Sequence, residues 1–186
     1  MNFLYDPLPS AVVVGGRFYK IRTDFREWLK IADYWEKSDV SEQQKAILLL
    51  SAFQEMPPAN FLQNALESLI LFFRHDENLT TDSNPSKKST EKILSWSYDA
   101  AYIYSAFLAV YRMNLLEIPE MHWHVFLNLF NTLPEDTPIK QRMFYRSINL
   151  SSIKDKNERK RIRKIQKAIR IPQEKINAVQ TGDFFG

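Results

Sequence analysis

Apolar side chains recur at three- and four-residue steps in one segment after another, and this period restricts the possible folds more than any other feature. Phe25, Trp28, Leu29, Ala32 and Trp35 keep that spacing, which places them along one face of an α-helix. Thr23 or Asp24 can cap this helix, and Asp24 with the later Glu27 has the spacing of a capping box.

Five further segments show the same period or carry helix start and stop signals. The predicted helices cover residues 41–54, about 60–73, 97–113, 119–132 and 137–148. The helix over 97–113 has almost no polar face, which predicts a central position in the fold.

A β-hairpin is predicted before the first helix, over about residues 12–21. Gly15 and Gly16 separate two β-prone runs, and a Gly-Gly pair can adopt the positive φ angles of a two-residue hairpin turn. The chain has only 4 glycines, too few for a fold with many tight turns. The predicted fold class is therefore mainly α: an irregular bundle of six or seven helices with a small N-terminal β-hairpin.

The length of 186 residues suits one domain of ordinary size. We expect a single helical domain over residues 1–172, interrupted by a mobile polar surface loop at about 75–92. Residues 173–186 form a predicted C-terminal tail. Phe184 and Phe185 within that tail could act as a docking peptide or simply fray.

No pattern for catalysis, a metal or a cofactor is found. The chain has no cysteine, which excludes thiolate zinc sites and cysteine nucleophiles. His122 and His124 lie two apart on a predicted helix, so their side chains should point about 200° apart and not share a metal. No serine has the flanking glycines of a nucleophile elbow. We therefore expect a non-enzymatic protein that binds other macromolecules.

The strongest charge feature is a basic module near the end of the chain. Residues 140–175 hold 13 Lys and Arg against 3 Asp and Glu, whereas the rest holds 12 against 19. Within 154–170, Ile162, Ile165 and Ile169 form a narrow apolar stripe for docking. The candidate binding cations around it are Arg159, Lys160, Arg163, Lys164 and Lys167.

Three interpretations of this basic helix remain open: binding of nucleic acid, contact with an acidic protein surface, and a solvated helix without a partner. The acidic surface includes the chain's own acidic body, which would give self-association. The helix has no aromatic residue for base stacking and no recognised DNA-binding frame, so a protein contact is favoured over nucleic acid.

Several segments in this order resemble one known family. They are residues 23–30 (TDFREWLK), 99–107 (DAAYIYSAF), 121–126 (MHWHVF), 145–146 (YR) and 150–156 (LSSIKDK). Together they are similar to the bacteriophage gene-product-fifteen family of siphophages and prophages of Gram-positive bacteria, over roughly residues 18–172. The chain departs from the family pattern at His124, where a second tryptophan is expected, and at Ala101, where an acid is expected.

The resemblance implies a role in tail assembly, because genes of this family lie between those of the major tail protein and the tape measure protein. It implies a chaperone that binds the long helical tape measure protein, together with a companion tail assembly chaperone. The alternatives are a structural tail or virion component, and a nucleic-acid-binding protein that uses the basic helix. Trp28, Tyr102 and Trp123 are candidates for lining a client groove, or they are simply core residues.

Neither a secretory signal nor an apolar run of about 20 residues is present in the sequence. We therefore expect no membrane partner and a cytoplasmic location, and the resemblance implies that this is the cytoplasm of the bacterial host.

Overall fold

The computed structural model describes residues 2–37, 39–75 and 92–172. Within these ranges it contains one β-hairpin and seven α-helices, which confirms the predicted fold class. The helices are α1 (Phe25–Trp35), α2 (Glu42–Leu50), α3 (Leu62–Arg74), α4 (Ala100–Tyr111), α5 (Trp123–Asn131), α6 (Pro138–Ser147) and α7 (Lys156–Ala168). The predicted loop at about 75–92 falls mostly on residues 76–91, and the predicted tail covers 173–186; both lie outside the described residues.

The hairpin consists of β1 (Ala11–Val14) and β2 (Arg17–Lys20), paired antiparallel with Val14 opposite Arg17. Gly15 and Gly16 have φ angles of 56° and 79°, as a two-residue turn of this hand requires. Val14 is buried against the helices, and the Ser68 hydroxyl of α3 donates to the Val13 carbonyl at 2.7 Å. The hairpin is thereby fixed to the α3 surface.

The start of α1 differs from the predicted capping box. The Asp24 carboxylate accepts from the Arg26 backbone N–H at 2.9 Å, as a cap should. Glu27, however, forms a salt bridge with Lys30 at 2.9 Å. Asp24 also accepts from the Met121 backbone N–H at 3.2 Å, so this cap also holds the chain segment that precedes α5.

Helix α2 has a complete capping box, in which Ser41 and Gln44 each accept a hydrogen bond from the other's backbone N–H. It ends at Leu50, four residues before the predicted end at Gln54. The residues that follow pair with the end of β2 instead: the Arg22 N–H donates to the Ala52 carbonyl, and the Gln54 N–H donates to the Lys20 carbonyl. This long-range pairing gives the backbone an alternative to the helix.

Helix α5 likewise begins later than predicted, at Trp123 and not near Pro119. The Phe25 N–H donates to the Met121 carbonyl at 2.8 Å, and the Trp123 N–H donates to the Thr23 carbonyl at 2.7 Å. Residues 121–122 are therefore extended against the start of α1. His122 is the N-cap of α5 and not a helical residue.

The core is a continuous set of apolar and aromatic side chains contributed by β1 and α1 to α6. Its centre is a series of stacked rings: Trp123 lies 5.9 Å from Phe126, and Phe126 lies 5.2 Å from Phe107. Phe25 stacks on the same Phe126 ring at 4.7 Å. Helix α7 packs on α6 through Ile162, its buried residue. None of the helices in the described ranges is both long enough and apolar enough to cross a bilayer.

Candidate protein-binding surfaces

Trp28 and Trp123, two of the candidate groove residues, lie in the core. Trp28 is 0% exposed and Trp123 is 1% exposed, and each indole N–H donates to a backbone carbonyl of the chain itself, that of Arg22 or that of Phe73. Of the two interpretations given above, a client groove or the core, the structure places both tryptophans in the core. Neither ring therefore presents surface to a partner.

Tyr102, the third candidate, lies on an exposed face of α4. Tyr102 is 38% exposed, and Leu108, which lies between one and two turns further along the helix, is 42% exposed. The guanidinium of Arg142 lies 4.1 Å from the centre of the Tyr102 ring, which is the distance of a cation–π contact. Tyr102 is therefore both accessible and held in place by α6.

Helix α4 itself is not central, contrary to the prediction. Only Ile103, Ala106 and Phe107 are buried, because α6 and the core cover one side of the helix alone. The opposite side is open to solvent and is called here the α4 face. It consists of Ala101, Tyr102, Ser105, Leu108 and Ala109.

A buried ion pair anchors the start of α4. Asp99 is 0% exposed, and Arg146 of α6 donates to its two carboxylate oxygens at 2.6 and 2.9 Å. Sequence reasoning gave these residues no role, although both stand in the family-like segments. The sequence shows Asp99 next to an apolar helix and Arg146 on a later helix. Nothing in their spacing predicts that the two side chains form an ion pair.

The three histidines lie closer together than their sequence spacing predicts. The rings of His122 and His124 are 4.9 Å apart, and those of His75 and His124 are 3.9 Å apart. The predicted divergence of about 200° is wrong because His122 precedes the helix. Burial lowers the pKa of His124 to about 4 and also lowers the pKa of His122.

This histidine cluster does not have the geometry of a metal site. The Nδ1 atom of His122 accepts from the His124 backbone N–H at 3.1 Å, which uses that lone pair. The Nε2 atoms of His122 and His124 lie 3.0 and 2.8 Å from the carbonyls of Pro9 and Phe72. Across the described part of the chain, no group of three histidine or carboxylate residues is arranged to hold a metal ion.

Some cations of the basic helix α7 form hydrogen bonds within the chain, and others are exposed to solvent. Arg159 is partly buried and donates from Nε to the Ile153 carbonyl at 2.9 Å, so it fastens the turn before the helix. Arg161 forms two hydrogen bonds to Glu158, at 2.8 and 2.7 Å. The other predicted binding cations on α7, namely Lys160, Arg163, Lys164 and Lys167, are exposed.

A small apolar groove of about 140 Å³ lies between α1, α2 and α3. Its walls are formed by Ile31, Trp35, Leu49, Ile70, Phe73 and Arg74. The groove is large enough for one apolar side chain of a partner, and Arg74 is its charged wall residue.

A family model described as bacteriophage Gp15 protein matches residues 4–171, which is most of the chain. No curated protein and no solved structure matches.

Proposed function

This chain belongs to the bacteriophage Gp15 protein family, and on that basis we propose that it is a non-enzymatic tail assembly chaperone. Its client is the tape measure protein, which it binds in the cytoplasm of the bacterial host during siphophage tail morphogenesis. A companion tail assembly chaperone takes part in the same complex.

The α4 face is the observation that carries this proposal. Eleven of the twelve residues of α4 are apolar, Ser105 being the exception. A helix that is apolar all round is normally buried on every side, yet this one leaves a whole face in solvent. Contiguous exposed apolar surface is typical of protein interaction sites, and this supports the proposal.

The shape of the α4 face suits a helical client. Ala101, Ser105 and Ala109 recur every four residues along it, and such small side chains let a second helix approach closely. Tyr102 and Leu108 flank this row and supply apolar contact area. A helix with an apolar stripe could therefore lie in the shallow channel between them, as in helix-in-groove recognition.

Co-expression with the tape measure protein tests the proposal. We expect the client to become more soluble and to co-purify with this chain. Leu108→Glu should reduce both effects, because a carboxylate in the contact would lose its hydration without gaining a partner. Ile47→Glu is the matched control, because Ile47 is 68% exposed on α2, away from the α4 face.

Two results would contradict the proposal. One is the absence of any association between the two proteins. The other is an equal loss of client solubility for Leu108→Glu and Ile47→Glu, which would show that the α4 face has no special role. Mass spectrometry of purified phage particles distinguishes a chaperone from a structural tail or virion component. A structural component would be present in the particles, and a chaperone would not.

A further inference from the structure

Five exposed cations of α7 lie on one side of the helix. They are Lys156, Lys160, Arg163, Lys164 and Lys167, and we call them the cationic stripe. At about 100° of rotation per residue, they fall within an arc of about 100° around the helix axis. With a rise of about 1.5 Å per residue, the stripe is about 17 Å long.

The stripe faces away from the body of the protein. Ile162 is buried, and Ile165 and Ile169 are half-buried on the opposite side of α7. The Gln166 side chain on that inner side donates to the Tyr145 and Ile148 carbonyls at 2.9 and 2.8 Å. The inner face therefore attaches the helix to α6 and directs the cations outwards.

The stripe has no acidic partner within the described residues. On α7 the ion pair found there joins Arg161 to Glu158, and neither residue belongs to the stripe. Five like charges within about 17 Å repel one another, at a cost that an external anionic surface would relieve.

Hydrogen bonds also tie both ends of helix α7. Asp155 caps its first turn by accepting from the Glu158 N–H at 2.6 Å. At its other end the Ile169 carbonyl accepts from Arg146 at 2.9 Å. A helix fixed at both ends presents its charges in a constant spacing, which lowers the ordering cost of binding.

We propose that the cationic stripe binds a partner helix that carries a row of carboxylates at the same three- and four-residue spacing. This inference rests on the proposed function, because it assigns a second contact to the helical client, separate from the α4 face. Carboxylates at positions i, i+3, i+4 and i+7 of the partner would each lie opposite a cation of the stripe.

Nucleic acid is the competing anionic partner, and the stripe fits it less well. Helix α7 contains no aromatic residue, whereas proteins that bind single strands stack bases on aromatic rings. The stripe itself consists of Lys and Arg, and Asn157 beside it is the one exposed amide of α7, so the helix lacks the set of Asn, Gln or Ser side chains that commonly join Arg in reading base edges in a duplex groove.

The test uses a fluorescent helical peptide with Glu at i, i+3, i+4 and i+7, and a second peptide with Gln at those positions. Fluorescence anisotropy with the full chain should show binding of the Glu peptide, weaker binding at higher salt, and no binding of the Gln peptide. A short DNA duplex and a single strand of equal length serve as competing probes.

The variant Lys160→Gln, Arg163→Gln, Lys164→Gln and Lys167→Gln removes four charges from the stripe and keeps good helix formers. We expect it to weaken binding of the Glu peptide by about tenfold or more. The matched control is Arg17→Gln, Lys20→Gln, Lys30→Gln and Lys154→Gln, which removes four exposed charges elsewhere and should leave binding nearly unchanged.

Three outcomes of the peptide assay overturn the inference: no binding of the Glu peptide, equal effects of the two quadruple variants, or tighter binding of either nucleic acid than of the Glu peptide. Co-purification with the tape measure protein separates this inference from the proposed function. If the stripe variant still retains the client as well as the control does, the stripe proposal fails while the chaperone proposal stands.

Discussion

Arg146 donates two hydrogen bonds to the buried carboxylate of Asp99, at 2.6 and 2.9 Å, and so joins the start of α4 to α6. The same guanidinium donates to the carbonyls of Ile93 and Ile169. One side chain therefore connects α4, the segment before it, and the end of α7. The two proposed binding surfaces, the α4 face and the cationic stripe, share this anchor.

We predict that Arg146→Ala strongly destabilises the fold. The substitution leaves the Asp99 carboxylate buried without its bidentate partner, which typically costs about 3–5 kcal/mol. Urea unfolding measures the loss, and Arg163→Ala, which removes an exposed cation, should change the free energy of unfolding by less than about 0.5 kcal/mol. Similar values for the two variants would show that the ion pair does not stabilise the structure.

We predict that the fold loses stability as the pH falls from about 6.5 to about 4. Burial lowers the pKa of His124 to about 4 from 6.5, so in this range the unfolded chain takes up a proton that the folded chain does not. The contribution is fully present above pH 6.5, and its loss amounts to at most about 3 kcal/mol. Urea midpoints measured across this range should fall.

His124→Gln is the control for this pH dependence. Glutamine does not titrate, and its amide can still donate toward the Phe72 carbonyl that His124 contacts at 2.8 Å. The variant should show a flatter fall in stability between pH 6.5 and pH 4. An unchanged slope would assign the pH dependence to other groups, such as His122, whose pKa burial also lowers.

We predict that Gly15→Ala destabilises the protein more than Gly16→Ala. Both residues have positive φ angles, so each substitution incurs backbone strain of about 1–2 kcal/mol. An added Cβ at Gly15 would also lie 2.8 Å from the nearest atom of the Phe61 ring, whereas nothing lies within 4 Å at Gly16. Thermal unfolding of both variants measures the difference, and equal melting temperatures would contradict the contact with Phe61.

We predict a large difference between Trp28→Ala and Trp35→Ala. Trp28 is fully buried among Phe72, Phe73 and Trp123, so its removal leaves a cavity and should cost about 3–5 kcal/mol. Trp35 lies at the groove between α1 and α3 with part of its surface in solvent, and a loss of about 1–2 kcal/mol is expected. Comparable losses from urea unfolding would contradict the assignment of Trp28 to the core.

The sequence by itself determined the local features of this protein. The Gly15-Gly16 turn, the starts of α2 and α6 near residues 41 and 137, and the amphipathic α7 all follow from interactions within a few residues, and the structure contains each of them. The resemblance to the phage family was also readable from segments of the chain. Such features are encoded by spacing and backbone preference, which act before any long-range contact forms.

The tertiary structure alone decided where the helices end and which of their apolar faces are exposed to solvent. Helices α2 and α5 are shorter than predicted because residues 52–54 and 121–122 pair with strand-like segments far away in the sequence. The α4 face is exposed, and Trp28 and Trp123 are not, because neighbours cover only some of the apolar surfaces that periodicity identifies. Periodicity states which side chains share a face; only the packing of the other elements determines whether that face meets the core or the solvent.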